Sequence, residues 1–419
     1  MRAVRRDVLR ALGPGVLFTG AAVGVSHLVQ STRAGAVYGL ALLGLVLLAN
    51  VVKYPAFRFG PLYAAATGTS LLEGYRRQGR AALALYGLLT LGTMFTVQAA
   101  VTVVTAGLAG ALFGIEASPL AISAGILVAC AGLCATGGYR ALDKAGKLVV
   151  TSLAITTVIA TALVLPRLSW SAQAFWPTRF EPADLAFMAA LAGWMPSAID
   201  VSVWQSLWTL ARGAETGGRA EARASSLDFH LGYVGTALLA VCFVLLGAAV
   251  LHGGEEALPE QAVPFAARVI AVYVEGLGEW SRPIIGGAAL ATMFSTTLTV
   301  VDGFPRALSG LADRFRGEEH PDEPRATDRT PAYWIALGVL FAGSLAILAF
   351  FMASMKALID LATSLSFLSA PILAWLNHRA VTSDAVPAAR RPARWLRIAS
   401  VAAIAVQAVF ALAFLWLIS

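Results

Sequence analysis

The sequence predicts an all-α polytopic membrane protein: two five-span inverted repeats, each opening with a broken span, followed by an eleventh span. Three observations carry this. The 419 residues are 58% hydrophobic and 13% charged, against roughly 25% charged in a typical soluble domain. The basic residues alternate from side to side along the chain. Two apolar segments are also interrupted at mid-membrane depth, in corresponding positions of the two halves.

Eleven apolar segments each supply the roughly 20 residues that cross a hydrocarbon core. They run over about 14–35, 36–58, 82–106, 118–138, 147–166, 184–210, 229–251, 283–306, 332–353, 356–377 and 397–418. With the N-terminus inside, 24 of the 31 Lys and Arg fall on the cytoplasmic side. They lie in the tail (Arg2 to Arg10) and in the five inward connections, from Arg58–Arg80 to Arg379–Arg397. Five face outward and two, Arg33 and Lys53, lie within spans. A miscounted span would scramble that alternation, so the bias supports eleven spans with the C-terminus outside. The net charge of +7 is thus a topology signal, with no nucleic-acid partner implied. The expected setting is the inner, or plasma, membrane, and the lipid bilayer is a partner by composition. No cleavable signal peptide is expected, because the first apolar run continues well past an h-region.

The first span opens at Pro14 and breaks around Gly24-Val25-Ser26-His27. The sixth breaks around Gly193-Trp194-Met195-Pro196-Ser197. An unwound turn is tolerated at membrane depth only where protein buries it or it lines a cavity. Paired breaks of this kind mark the binding site of inverted-repeat secondary transporters. The chain divides accordingly into a first repeat over 1–167, a second over 168–379, and a loop with the eleventh span over 380–419. Residues 253–268 read as an outer loop with a short surface helix, and 314–330 as a charged cytoplasmic loop.

Cys130 and Cys134 share a helix face, and small buried residues are the better reading than metal or redox use. Intramembrane ionisable groups are functional-site candidates by default: Arg33, Lys53, Asp200 and Asp302. Lys53 and Asp200 reach similar depths, which suggests an ion pair acting as an inner gate or a static structural pair. Asp302 has Arg306 and Arg58 within reach. Arg33 lies in the outer half of its span, either sensing an anion or snorkelling, and Asp360 stands near the outer end of span 10 as a gate candidate. The hydroxyl-rich faces of spans 8 and 10 read chiefly as helix packing.

Gly13-Pro14-Gly15, the Tyr38-Gly39 pair and Met195-Pro196 together resemble the Nramp family of divalent-metal transporters over spans 1–10. The resemblance implies a LeuT-like fold and alternating-access movement of a cation. The family's DPGN motif falls on Gly24, Val25, Ser26 and His27, and its metal-binding set on Gly24, His27, Met195 and the Ala192 carbonyl. Only Met195 matches, so the family's Asp and Asn are missing here, and the stretch from Phe95 to Ala100 lacks the family's acidic residues. Loss of the carboxylate at Gly24 is expected to open space and remove charge.

The candidate substrate-binding set is therefore Gly24, Ser26, His27, Ala192, Met195 and Ser197. Asp200, Lys53, Arg33 and Asp302 are the coupling or gating candidates, and Met195 and His27 the candidate metal ligands. His27 has three readings: a ligand, a protonatable coupling residue, or a hydrogen-bonded filler of the turn. The substrate is a small molecule or ion, with coupling to protons or another ion. Beside the metal cation stand two alternatives, a small organic solute such as an amino acid or carboxylate, and a receptor-like relative without flux. No cofactor is implied. The chain carries no nucleophile–base pair, nucleotide loop or HExxH motif, so an enzyme is not expected.

Overall fold

The computed structural model describes residues 14–136, 139–177, 180–215, 222–254, 258–317 and 330–418. Every expected span is helical there. The first is α1 (Pro14–Ala22), a π-helical segment (Ser26–Ser31) and α2 (Thr32–Tyr38). Then come α3 (Leu43–Thr67), a short α4 (Leu71–Gln78), α5 (Arg80–Phe113), α6 (Pro119–Thr136) and α7 (Tyr139–Val164). The second broken span is α8 (Pro182–Gly193) and α9 (Val201–Glu215), followed by α10 (Ala222–Val250), α11 (Ala262–Leu277) and α12 (Arg282–Phe315). The last three are α13 (Pro331–Phe350), α14 (Met355–Thr382) and α15 (Arg394–Ile418). Among the described residues, eight helices are long and apolar enough to cross a membrane. The other three expected spans are α3, which carries Lys53 and two prolines, and the two broken ones.

Boundaries differ from expectation in three places, the first being the second span, expected over 36–58 and found over Leu43–Thr67. The surface helix expected within 253–268 instead runs over Ala262–Leu277, and it buries Phe265, Val269, Ile270 and Tyr273 in the core. Its apolar stripe at helical spacing belongs to the core rather than to a membrane surface. The connection between spans 2 and 3 folds as α4, whose Glu73 lies in the first turn and Arg76 and Arg77 in the last. That is the charge order a helix dipole favours.

The broken spans sit at the centre. α1 crosses α10 closely enough that a Cβ on Gly15 or Gly232 would fall on the other helix's backbone. Gly15 N–H donates to the Asp228 carboxylate of α10, which satisfies one of the orphan donors at the start of α1. Phe18 stacks on Tyr233 at 5.9 Å and meets Phe57 at 5.3 Å, tying α1 to α10 and α3. In α9, Trp204 packs edge-on to Phe304 of α12 at 4.9 Å. These contacts fix both half-helices against a common scaffold.

Candidate functional site

The two breaks differ in length. In the first span only Val23 and Gly24 leave the helix before the π-helical segment begins. In the second, Trp194 to Asp200 is unwound, and the Met195–Pro196 peptide is cis. Carbonyls released by an unwound turn must find donors, and side chains supply them. Lys53 Nζ donates to the carbonyls of Gly193 at 2.6 Å and Ser197 at 3.2 Å. Ser26 Oγ lies 3.3 Å from the carbonyl of Pro196, linking one break to the other.

A cavity of about 40 Å³ lies between the breaks, lined by Ser26, Ser197, Asp200, Trp204 and Thr296 among others. A water needs at least about 10–15 Å³ of such space, so a bare or partly hydrated ion fits. The Asp200 side chain, 2% exposed, has no hydrogen-bond partner on either carboxylate oxygen. Trp204 Nε1 is likewise buried without a partner. Native interiors rarely leave such groups unpaired, and this carboxylate stands on the cavity wall.

The sequence candidates sort clearly against this geometry. Ser26, Ser197 and Asp200 meet at the cavity. His27, fully buried, has both ring nitrogens engaged by protein: Nε2 lies 2.9 Å from the Thr236 carbonyl and Nδ1 2.7 Å from Ser26 Oγ. A carbonyl only accepts, so Nε2 carries a proton, while the single Ser26 hydroxyl proton is shared among Nδ1 and the carbonyls of Ala22 at 2.7 Å and Pro196 at 3.3 Å. That arrangement fits the reading of His27 as a filler of the turn. Met195, also fully buried, packs in an apolar cluster with Ala34, Val46, Phe187 and Val244. The Ala192 carbonyl faces Met195 N–H at 3.4 Å. Among the described residues, no group of three or more His, Cys, Asp or Glu is placed to hold a metal.

Two expectations change. The space expected at Gly24 is occupied, because a Cβ there would stand 2.9 Å from the Thr296 methyl. Thr296 is itself held by the carbonyls of Gly20, at 2.7 Å, and Thr292. The expected Lys53–Asp200 ion pair is not a direct contact, since the ammonium is drawn to the carbonyls of the break. The two groups remain near enough to feel each other's charge.

Side-chain networks join distant helices at both ends of the bundle. At the end expected outside, Arg33 forms a two-pronged ion pair with Asp360, Gln30 bridges to both, and the guanidinium lies 4.8 Å over the Phe187 ring. Arg33 thus neither snorkels nor stands free. At the opposite end, Asn377 of α14 accepts from Tyr75 of α4 and donates to Ser202 of α9 and the Ala56 carbonyl of α3. Glu73 there gathers Arg76, Arg77 and Arg314. Asp302 pairs with Arg306 at 2.8 Å and accepts from Tyr333, while Arg58 turns to Ser226. The Asn377 and Arg314 contacts have no sequence signal, since each joins helices far apart in the chain. Cys130 and Cys134 are both buried, and neither is in a disulfide.

Comparison with known proteins agrees with this architecture. A protein of Pasteurella multocida described as uncharacterised is 34% identical over 375 residues, covering 88% of this chain and 84% of its own. Among solved structures, the Eremococcus coleocola manganese transporter in complex with an aromatic bis-isothiourea substituted compound aligns with TM-score 0.68. It is 12% identical, and the match covers 98% of this chain and 87% of that one. MhsT in complex with L-phenylalanine aligns with TM-score 0.60 at 13% identity, covering 98% and 97%. The fold is therefore the LeuT-like one expected. The natural resistance-associated macrophage protein-like family matches residues 15–417, nearly the whole chain, and the protein belongs to that family.

Proposed function

We propose that the protein is a secondary membrane transporter that moves a metal cation by alternating access, through a site rebuilt around Asp200. Family membership and the likeness to a manganese transporter support the class. The observation that carries the reading is the buried, unpartnered Asp200 carboxylate on the wall of the cavity between the breaks. The negative charge missing at Gly24 in the first broken span is supplied from the second. Ser26 and Ser197 add hydroxyl oxygens, and such a set suits a hard cation. His27 and Met195, the softer donors, are engaged elsewhere, so the soft-metal cage drops out of the proposal.

An organic substrate is disfavoured by size. Pockets for small organic ligands hold roughly 300–1,000 Å³, against about 40 Å³ here. In the cycle we envisage, Arg33–Asp360 closes the outer end, and the Asn377 and Glu73 latches close the inner one. The repeats over 1–167 and 168–379 and insertion with the N-terminus in the cytoplasm belong to the same reading. The test is thermal stability of purified protein against panels of metal salts and of small acids, amines and amino acids, since a ligand of the folded state raises the melting point. A metal response lost in Asp200→Asn supports the proposal. A response to organic solutes alone overturns it.

A further inference from the structure

Building on the reading of Asp200 as the anionic partner of the transported cation, we infer that Lys53 sets the site's valence. It acts as a tethered cation that reserves the cavity for monovalent metal ions. The Lys53 side chain is 3% exposed, and its ammonium holds the Gly193 and Ser197 carbonyls. Those oxygens lie at the same break as Asp200 and are oriented toward a positive charge. Of the two residues, Ser197 lines the cavity with Asp200, and Lys53 holds its carbonyl before an arriving ion can.

Charge counting points the same way. The ammonium and the Asp200 carboxylate sum to zero. Of the other ionisable groups, Tyr75 of α4 and Tyr86 of α5 are near enough to interact with Asp200, and phenols are neutral at ordinary pH. A monovalent ion therefore leaves one buried net positive charge, and a divalent ion leaves two. The desolvation cost of a buried charge grows with its square, and that cost is large in a medium of low dielectric. Divalent sites ordinarily meet it with more than one carboxylate and six or more oxygens. This site offers one carboxylate, the hydroxyls of Ser26 and Ser197, and carbonyl oxygens already taken by Lys53. Removing the ammonium would free both carbonyls and leave the site net negative.

The test compares wild type with Lys53→Gln, Lys53→Arg and Asp200→Asn in detergent. Melting points are read against sodium, potassium, magnesium and manganese chlorides, with choline chloride holding ionic strength constant. Gln keeps an amide N–H for the carbonyls without the charge, so its fold is less exposed than that of a methionine variant. Lys53→Arg keeps the charge and serves as a second check should Lys53→Gln not fold. We expect a monovalent response in wild type that Asp200→Asn abolishes. Lys53→Gln should gain at least about tenfold in apparent magnesium or manganese affinity, and Lys53→Arg should not. A divalent response in wild type that needs Asp200 and is no stronger in Lys53→Gln, or is unchanged in Lys53→Arg where the Gln variant fails, would overturn the Lys53 assignment and leave the Asp200 site standing. No cation response sensitive to Asp200→Asn would overturn both.

Discussion

Arg33 holds Asp360 by two parallel hydrogen bonds, Nη1 to Oδ1 at 2.7 Å and Nη2 to Oδ2 at 3.0 Å, joining α2 to α14. Paired guanidinium–carboxylate contacts are among the stronger polar interactions, and here the guanidinium is buried while the carboxylate is one-third exposed. Hydrogen bonds to charged groups contribute roughly 1.5–3 kcal/mol. Asp360→Asn should therefore shift the population toward the outward-open form. A Ser26→Cys probe on the cavity wall should react with an impermeant thiol reagent about tenfold faster in that background. Equal labelling rates would remove the pair from the gate.

Gly24 is where restoring the family's motif is expected to fail. An Asp there meets Thr296 before it meets an ion, and overpacking of a filled interior costs about 1–3 kcal/mol. Gly24→Asp should lower the melting point without creating manganese binding. Adding Thr296→Ala should recover part of the stability loss. A gain of metal affinity in Gly24→Asp alone would show that the space is available after all.

For His27 the expectation separates packing from ligation. Both ring nitrogens have protein partners, so His27→Ala should cost about 1–3 kcal/mol of stability through unpaired buried groups. Cation affinity should stay within about threefold of wild type. Its loss alongside an unchanged fold would return His27 to the site.

Glu73 gives a pH signature at the end opposite the Arg33–Asp360 pair. Burial raises its pKa, but hydrogen bonds from Arg76 and Arg77 and their charge outweigh burial, leaving the carboxyl below its ordinary value of 4.5. A group depressed on folding contributes stability above its unfolded pKa, and the contribution is lost as pH falls through the folded value. The difference in melting point between wild type and Glu73→Gln should be level above about pH 5 and shrink below 4.5. A difference that instead grows on acidification would contradict the assignment.

The sequence carried the spans, the breaks and the family because each is written locally, in hydropathy, in turn residues and in short motifs. Asp302–Arg306 was legible for the same reason, as a pair four apart on one helix. Partners across helices were not. Lys53 is matched in depth to Asp200 by the sequence, yet nothing in the chain shows that unwound carbonyls would compete with Asp200 for its ammonium. Thr296 filling the space beside Gly24 depends on how closely α12 approaches the first break, which periodicity does not encode. The α4 helix was missed because eight residues with three charges carry little apolar pattern. Asp200 was a candidate from its cost in the membrane alone; its unpartnered oxygens came from the structure.

The central claim is that Asp200 supplies the charge for a bound cation. Isothermal titration of the purified protein and its Asp200→Asn variant with metal chlorides, at fixed ionic strength, tests it most directly. The account predicts saturable binding in wild type and at least about a hundredfold weaker binding in a folded Asp200→Asn. Cation binding of equal affinity in the two proteins would contradict it.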